Sequence, residues 1–234
     1  MVTQPIAPIG AVTAQDLLRF MVDNHIDSTQ IFDILCSHLN QQEYRRVLAE
    51  IDAINASQKP PDLSKAAWEG QNNQAKGHLF EELMEIILRS VEPFTSWNNV
   101  HTSTSEIDIL VQLGPTGLLL PALREWGTHV LCECKFSHDS VSIQWVTNLN
   151  TVLQTHNTTV GLLFTTRGLS ARGNGARAKR QIEILSVMTP ARFIVCLNGD
   201  DLKLCAEGFN FLRLLSQRYM EVKANTGRLR LLGG

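Results

Sequence analysis

Two oppositely charged side chains interrupt a stretch of sequence that otherwise has the composition of a buried strand. Residues 128–136, THVLCECKF, are mostly apolar, yet they contain Glu133 and Lys135. Side chains alternate between the two faces of a strand, so both charged groups lie on one face, about 7 Å apart. Burying a carboxylate or an ammonium is costly unless the group is paired. The pair therefore indicates either an ion pair at the rim of a sheet or a face that opens onto a reactive cleft.

The opposite face of the same stretch carries two cysteines. Val130, Cys132 and Cys134 alternate with the charged residues, so we expect them to face the core. A zinc site would need two further ligands at suitable spacing, and the sequence shows none. Five cysteines, an odd number, favour reduced thiols in a cytoplasmic protein.

A third carboxylate lies in the preceding predicted strand, residues 105–113. If the two strands pair, Asp108 in EIDIL lies beside Glu133. Two carboxylates on neighbouring strands repel each other unless a cation lies between them, and a few hard oxygen ligands suit Mg²⁺. The helix predicted over residues 74–90 contains the sequence KGHLFEEL and adds a further candidate carboxylate, Glu81, to this site. Glu82 is an alternative that the helical wheel does not exclude.

The elements that must position these groups follow a regular order. Apolar periodicity predicts a helix over 74–90, strands over 105–113 and 128–136, a helix over 140–156, a strand over 159–166, a helix over 170–185, a strand over 191–197, and closing helices. This αββαβαβα order predicts an α/β fold with a mixed central sheet flanked by helices on both faces.

The N-terminal part has a different pattern. Residues 13–57 are typical of three short helices, and Pro60 and Pro61 mark the best linker. We therefore predict a small all-α module over 1–57, a linker over 58–67, a larger domain over 68–224 and a basic tail over 225–234. Through residue 60, seven acidic residues against four basic ones make a net charge of −3. That charge suits a protein partner or a cover for a basic cleft; alternatively, the helices simply stabilise the larger domain.

Charge and motifs restrict the function. The whole chain has a net charge of −2, so any polyanion site must be local. No P-loop, dinucleotide-binding glycine motif or nucleophile elbow is present, which argues against a nucleotide-driven motor. No signal peptide and no apolar run long enough for a membrane span is visible, so we expect a cytoplasmic protein without membrane contact.

One stretch is locally basic and lacks acidic residues. Gly173 and Gly175 keep the loop within residues 167–180 pliable. The five basic side chains of this stretch are either contacts to a phosphate backbone or a solvated helix face. The five are Arg167, Arg172, Arg177, Lys179 and Arg180.

The motif order Gly77-x-x-Phe80-Glu81, Ile107-Asp108 and Glu133-x-Lys135 resembles that of PD-(D/E)xK (restriction-endonuclease-like) nucleases. Over about residues 74–220 the chain is similar to the Mrr-like branch, including GLLFTTRGLSARGNGARAKRQIEIL and FIVCLNGDDLKLC. One residue departs from the motif: Ile107 replaces the proline.

The resemblance implies a role for each candidate residue. Asp108, Glu133 and the backbone carbonyl of Cys134 would bind the metal, and Glu81 would complete the site directly or through a water. Lys135 would orient and help deprotonate the attacking water or stabilise transition-state charge. Gln144, near the start of the next helix, would support the site or contact phosphate; the alternative is a solvated helix residue.

The function implied is that of a Mg²⁺-dependent DNA endonuclease, with Mn²⁺ able to substitute, of restriction or phage-defence type. The partners implied are DNA, a protein bound by residues 1–57, and a second copy of the chain, since a homodimer suits paired cleavage of a duplex. The alternatives are a catalytically silent binding module on a nuclease fold, a branched-DNA resolvase and an RNA-directed nuclease.

Overall fold

A five-stranded mixed sheet forms the centre of the fold in a computed structural model that describes residues 19, 23–25, 28–36, 39–103, 105–118, 120–137, 139–170 and 172–225. The strands lie in chain order: β1 Phe94–His101, β2 Glu106–Leu113, β3 His129–Lys135, β4 Val160–Thr165 and β5 Phe193–Leu197. The first three strands are antiparallel, whereas β3, β4 and β5 are parallel. Their carboxyl ends therefore meet at one edge of the sheet.

Helices cover both faces of this sheet. They are α1 Ser28–Leu35, α2 Gln41–Ala56, α3 Lys65–Arg89, α4 Pro115–Leu118, α5 Pro121–Arg124, α6 Ile143–Thr155, α7 Gly173–Val187, α8 Gly199–Ala206 and α9 Phe211–Lys223. One core, containing Cys132 and Cys134, packs against α2, α3, α8 and α9. The other, containing Leu131 and Leu163, packs against α6 and α7. The predicted mixed sheet with helices on both faces is confirmed. The prediction that the cysteines of β3 face the core is confirmed as well.

The structure adds two features that periodicity did not reveal. Strand β1 is absent from the predicted order because its sequence, FTSWNNVH, is mostly polar and exposed; its ladder with β2 holds it in place. Helix α3 begins at Lys65, nine residues before the predicted start and inside the predicted linker. The side chain of Ser64 caps it by accepting the amide of Ala67 at 3.2 Å.

The N-terminal helix α2 shares the core of the larger domain. Tyr44, Val47 and Ile51 are buried in the same cluster as Phe80 and Leu83 of α3. The Tyr44 hydroxyl donates to the carbonyl of Leu202 at 3.1 Å, which ties α2 to α8. These contacts favour a stabilising role for residues 41–56, although the predicted domain limits stay a prediction. Residues 1–18 and the tail beyond residue 225 lie outside the described residues.

We expect a chain truncated to begin at Pro61 to melt well below the full-length protein. The truncation exposes the apolar surface that Tyr44, Val47 and Ile51 cover, and burial of each such side chain contributes about 1.5–3 kcal/mol. Thermal unfolding of both chains checks this. A truncated chain that melts at the full-length temperature would show instead that residues 1–57 are an independent module.

Candidate active site

The strands β2 and β3 part where the candidate site begins. Their pairing runs from Gln112 opposite His129 to Ile109 opposite Cys132. One residue further, the carboxylate of Asp108 accepts the backbone amide of Cys134, with 2.7 Å between Oδ2 and N. The Asp108 side chain thus accepts a hydrogen bond next to the point where the β2–β3 ladder ends. This bond places the Asp108 carboxylate beside the Glu133–Lys135 end of β3.

The two charged residues of β3 form an ion pair. Nζ of Lys135 lies 2.5 Å from Oε1 of Glu133. The side chains keep 35% and 20% of their exposure, so solvent still reaches both. The first alternative considered for this strand, an ion pair, is therefore observed. The second alternative, a face that opens onto a reactive cleft, stays a prediction.

The carboxylates of the site interact electrostatically. Burial, followed by the nearby charge of Asp108, raises the pKa of Glu133, although Lys135 opposes the shift. Burial and Asp108 also raise the pKa of Glu81 on α3, against the opposing effects of His78 and Lys135. The nearby charge of Asp108 thus adds to burial in disfavouring the charged forms of both Glu81 and Glu133.

Lys135 is held in its charged form. Burial disfavours the ammonium, but the hydrogen bond and charge of Glu133, together with Asp108, outweigh burial and raise the pKa of Lys135. At neutral pH the side chain is therefore a cation.

The donor set fits a hard divalent cation. Carboxylate oxygens are the ligands that Mg²⁺ prefers. A cation would favour the charged forms of Glu81 and Glu133, whose pKa values burial and the charge of Asp108 raise. In the part of the chain that the structure describes, no group of three or more His, Cys, Asp and Glu side chains is arranged so that it could hold a metal ion. Two of the candidate ligands have other partners: Asp108 accepts the Cys134 amide, and Glu133 is paired with Lys135. The Cys134 carbonyl as a ligand stays a prediction.

The alternative glutamate of α3 has another partner. Oε1 of Glu82 lies 2.7 Å from Nη2 of Arg46, an ion pair between α3 and α2. This contact favours Glu81 as the residue of the site.

Two further residues bear on the site. Gln144 is exposed and donates to Asn148 on the same helix at 2.7 Å, which agrees with the alternative of a solvated helix residue. Sequence reasoning missed Glu106, whose charge also raises the pKa values of Glu81 and Glu133; its position two residues before Asp108, on the same strand, was the available signal.

The basic stretch begins at the same edge of the sheet as Lys135. Lys135 is paired in register with Thr165, the last residue of β4, and Arg167 follows two residues later. All five basic side chains are exposed. Lys179 lies 3.8 Å from Glu183, whereas the four arginines form no salt bridge with a described residue. Arg172 also lines a cleft of about 460 Å³ with Asp139, Ser142 and Trp145 at the start of α6.

The fold and these residues define a nuclease of the PD-(D/E)xK superfamily. The model of the family Mrr_cat, described as Restriction endonuclease, matches residues 73–193, more than half of the chain, and the chain belongs to this family. It is a nuclease of the restriction-endonuclease type, with DNA as the substrate that this domain implies. No curated protein is similar enough to count as a match. Among the described helices, none has the length and apolar character needed to cross a membrane.

We expect Glu81→Gln to raise the melting temperature of the metal-free protein at pH 7 to 8. The folded-state pKa of Glu81 is raised, so its contribution to stability is present below the ordinary pKa of a glutamate and is lost as the pH rises through the folded-state value. Glutamine does not titrate, so the difference should vanish in acid. The measurement is thermal unfolding from pH 4 to 8 in a chelator.

Glu82→Gln is the matched control for this comparison. It removes an exposed ion pair with Arg46 and should leave stability nearly unchanged or slightly lower, since such pairs contribute about 0–1 kcal/mol. Equal stabilisation by both substitutions would contradict the effect of burial and of the Asp108 charge on Glu81.

Proposed function

We propose that this protein is a Mg²⁺-dependent endonuclease that hydrolyses phosphodiester bonds of DNA. The observation that carries the proposal is the arrangement at the end of β3, where the Asp108 carboxylate is bonded beside Glu133 and Lys135 on a solvent-reached edge. Phosphodiester hydrolysis requires neutralisation of phosphate charge and an activated water, and a bound divalent cation supplies both. Asp108, Glu133, Glu81 and the Cys134 carbonyl are the groups that would hold it, with Mn²⁺ as a substitute.

Lys135 has a separate role in the proposal. Its raised pKa keeps it cationic beside the carboxylates, so it is suited to stabilise negative charge that develops on the phosphate and to orient the attacking water. A cationic lysine is a poor proton acceptor. In the metal-free protein, Lys135 is therefore better suited to stabilise negative charge than to deprotonate the water.

The basic stretch provides the proposed path of the DNA backbone. The exposed arginines Arg167, Arg172, Arg177 and Arg180 lie after β4 and along the start of α7, beyond the strand that pairs with Lys135. Contacts of this kind bind phosphate without regard to sequence. Lys179 is proposed as a fifth contact, although Glu183 competes for its charge.

The biological setting is an extension of the family likeness. We propose a cytoplasmic restriction or phage-defence enzyme whose N-terminal helices contact a protein partner, with a homodimer for paired cleavage of duplex DNA. A silent binding module is the second candidate, but the presence of all four residues Glu81, Asp108, Glu133 and Lys135 favours cleavage.

The experiment that tests the proposal compares substrates and ions. The full-length protein is incubated with plasmid, linear duplex, single-stranded DNA, branched DNA and RNA, each with Mg²⁺, Mn²⁺ or EDTA. Metal-dependent cleavage of duplex DNA is expected. Binding without cleavage under every condition would support the silent module, and exclusive cleavage of branched DNA or RNA would support the resolvase or the RNA-directed nuclease.

We expect combined neutralisation of Arg172, Arg177 and Arg180 to glutamine to weaken binding of all duplex sequences alike. Each lost phosphate contact should make the slope of log affinity against log salt shallower by about 0.9. Titration of duplex DNA at several salt concentrations in EDTA measures the slope. Arg124→Gln, an exposed arginine of α5, is the control and should leave the slope unchanged. An unchanged slope in the triple variant would place the DNA path elsewhere.

A further inference from the structure

A second cleft lies on the α2 and α3 side of the sheet, at the same edge as the candidate active site. Its volume is about 700 Å³, in the range of sites for small ligands. It is bounded by α2, α3, the first residues of α8, and the segments that follow β3 and β4. None of the four candidate catalytic residues lines it, so it is a separate space that adjoins the active site.

The wall of the cleft contains a buried lysine. Lys76 of α3 is only 6% exposed, and its Nζ lies 5.6 Å from the centroid of the Phe136 ring. Its ammonium forms no hydrogen bond or ion pair with a residue that the structure describes. A cation–π contact offsets only part of the cost of removing an ammonium from water. An anion that entered the cleft would therefore be stabilised by pairing with the Lys76 ammonium.

The remaining charges of the cleft lie at its exposed rim and nearly balance. Asp52, Glu69 and Asp200 are exposed there, as are Arg167 and Lys203. Glu69 has a partner outside the cleft, since Lys65 lies 3.8 Å away. Lys76 is thus the buried charge among the lining residues, and an anion small enough to pass the rim would be attracted to it.

Other lining groups suit a planar, hydrogen-bonding ring. Trp68 and Phe136 are half-buried aromatic side chains, and Phe80 and Leu202 provide an apolar floor. The side-chain amides of Asn55, Asn72 and Asn73 can both donate to and accept from a polar edge. Aromatic faces stack on nucleobases of any identity.

The cleft is connected to the active site through two phenylalanines. Phe80 and Phe136 pack edge to face, with 5.9 Å between ring centroids. They are the chain neighbours of Glu81 and Lys135, respectively. An occupant that contacts Phe136 would therefore lie next to the end of β3 that carries Lys135.

We propose that this cleft binds a nucleotide, with its phosphate at Lys76 and its base against Trp68 and Phe136. The nucleotide is either a free mononucleotide or one nucleotide of a nucleic acid strand at the active site. Only the second source rests on the proposed nuclease function.

The test measures binding to the full-length protein in EDTA, where no cleavage occurs. The probes are dAMP, dTMP, inorganic phosphate and a short single-stranded oligonucleotide, titrated by calorimetry. In Lys76→Met the affinity for the nucleotides should fall roughly ten- to hundredfold, the loss expected for one charge-assisted hydrogen bond. Without ligand the variant should melt above the wild type, because an unpaired buried charge is removed. Lys65→Met, an exposed lysine of the same helix, is the control and should change neither property.

Trp68→Ala is a second variant that does not alter the buried charge. It should weaken binding of dAMP and dTMP while leaving that of inorganic phosphate unchanged. It keeps the proposal testable if Lys76→Met does not fold.

The outcomes distinguish the sources. Binding of dAMP or dTMP that requires Lys76 supports a free nucleotide, and Lys76-dependent binding of the oligonucleotide alone supports a strand nucleotide. Binding that Lys76→Met leaves intact, or no preference of the wild type for nucleotides over phosphate, would overturn the proposal and leave Lys76 a packing residue. Lys76-dependent nucleotide binding in a protein that cleaves nothing would retain this proposal and reject the nuclease function.

Discussion

The Asp108→Asn variant is expected to bind DNA but to cleave it at least about 10³-fold more slowly than the wild type. The substitution removes one of the carboxylates that would hold the cation, and a bound cation would supply several kcal/mol of transition-state stabilisation. The fold should survive, because an asparagine oxygen can still accept the amide of Cys134 that Oδ2 of Asp108 accepts at 2.7 Å.

Three measurements separate the effects of this substitution. Single-turnover cleavage in Mg²⁺ gives the chemical rate, calorimetry with Mg²⁺ or Mn²⁺ gives metal affinity, and DNA binding in EDTA gives the integrity of the substrate path. Asp62→Asn, in the exposed segment before α3, is the control and should behave as the wild type. Wild-type cleavage by Asp108→Asn would eliminate the proposed site.

The Lys135→Ala variant is expected to cleave roughly 10² times more slowly, or slower still, with a much smaller loss of DNA binding. The Lys135 ammonium lies 2.5 Å from Oε1 of Glu133, within the proposed site, and electrostatic groups of this kind contribute about 10²–10³ to a rate. A group that acts only in the transition state lowers the rate of the bound complex, whereas a phosphate anchor lowers affinity.

Affinity in EDTA and the single-turnover rate at saturating enzyme distinguish these roles. Lys65→Ala, at the exposed first residue of α3, is the control and should change neither quantity. A normal rate per bound complex together with strongly reduced affinity would make Lys135 a phosphate anchor and not a catalytic residue.

Much of the sheet could be predicted because its strands have clear local periodicity. In β3, apolar side chains alternate with Glu133 and Lys135, and the structure places the two sets on opposite faces of the strand. Strand β1 could not be predicted, since its polar sequence carries no alternation and its conformation depends on the ladder with β2.

The candidate site shows the same division. Pairing of the two predicted strands was enough to predict Asp108 beside Glu133. The hydrogen bond from the Cys134 amide to the Asp108 carboxylate, where the β2–β3 ladder ends, could be seen only in the tertiary structure. Glu81 and Glu82 are adjacent on one helix, so only the tertiary packing shows which of them belongs to the site. Arg46 of α2 binds Glu82, whereas burial and the charge of Asp108 raise the pKa of Glu81.

The sequence alone determined the α/β class, the faces of the central strands, and the residue types able to bind a cation and a phosphate. The tertiary structure decided that α2 belongs to the main core, that Lys135 is paired with Glu133, and that Lys76 is buried against Phe136. The physical reason is that periodicity along the chain records which side of an element avoids water. It does not record which distant element covers that side, and burial, pairing and pKa all depend on that neighbour.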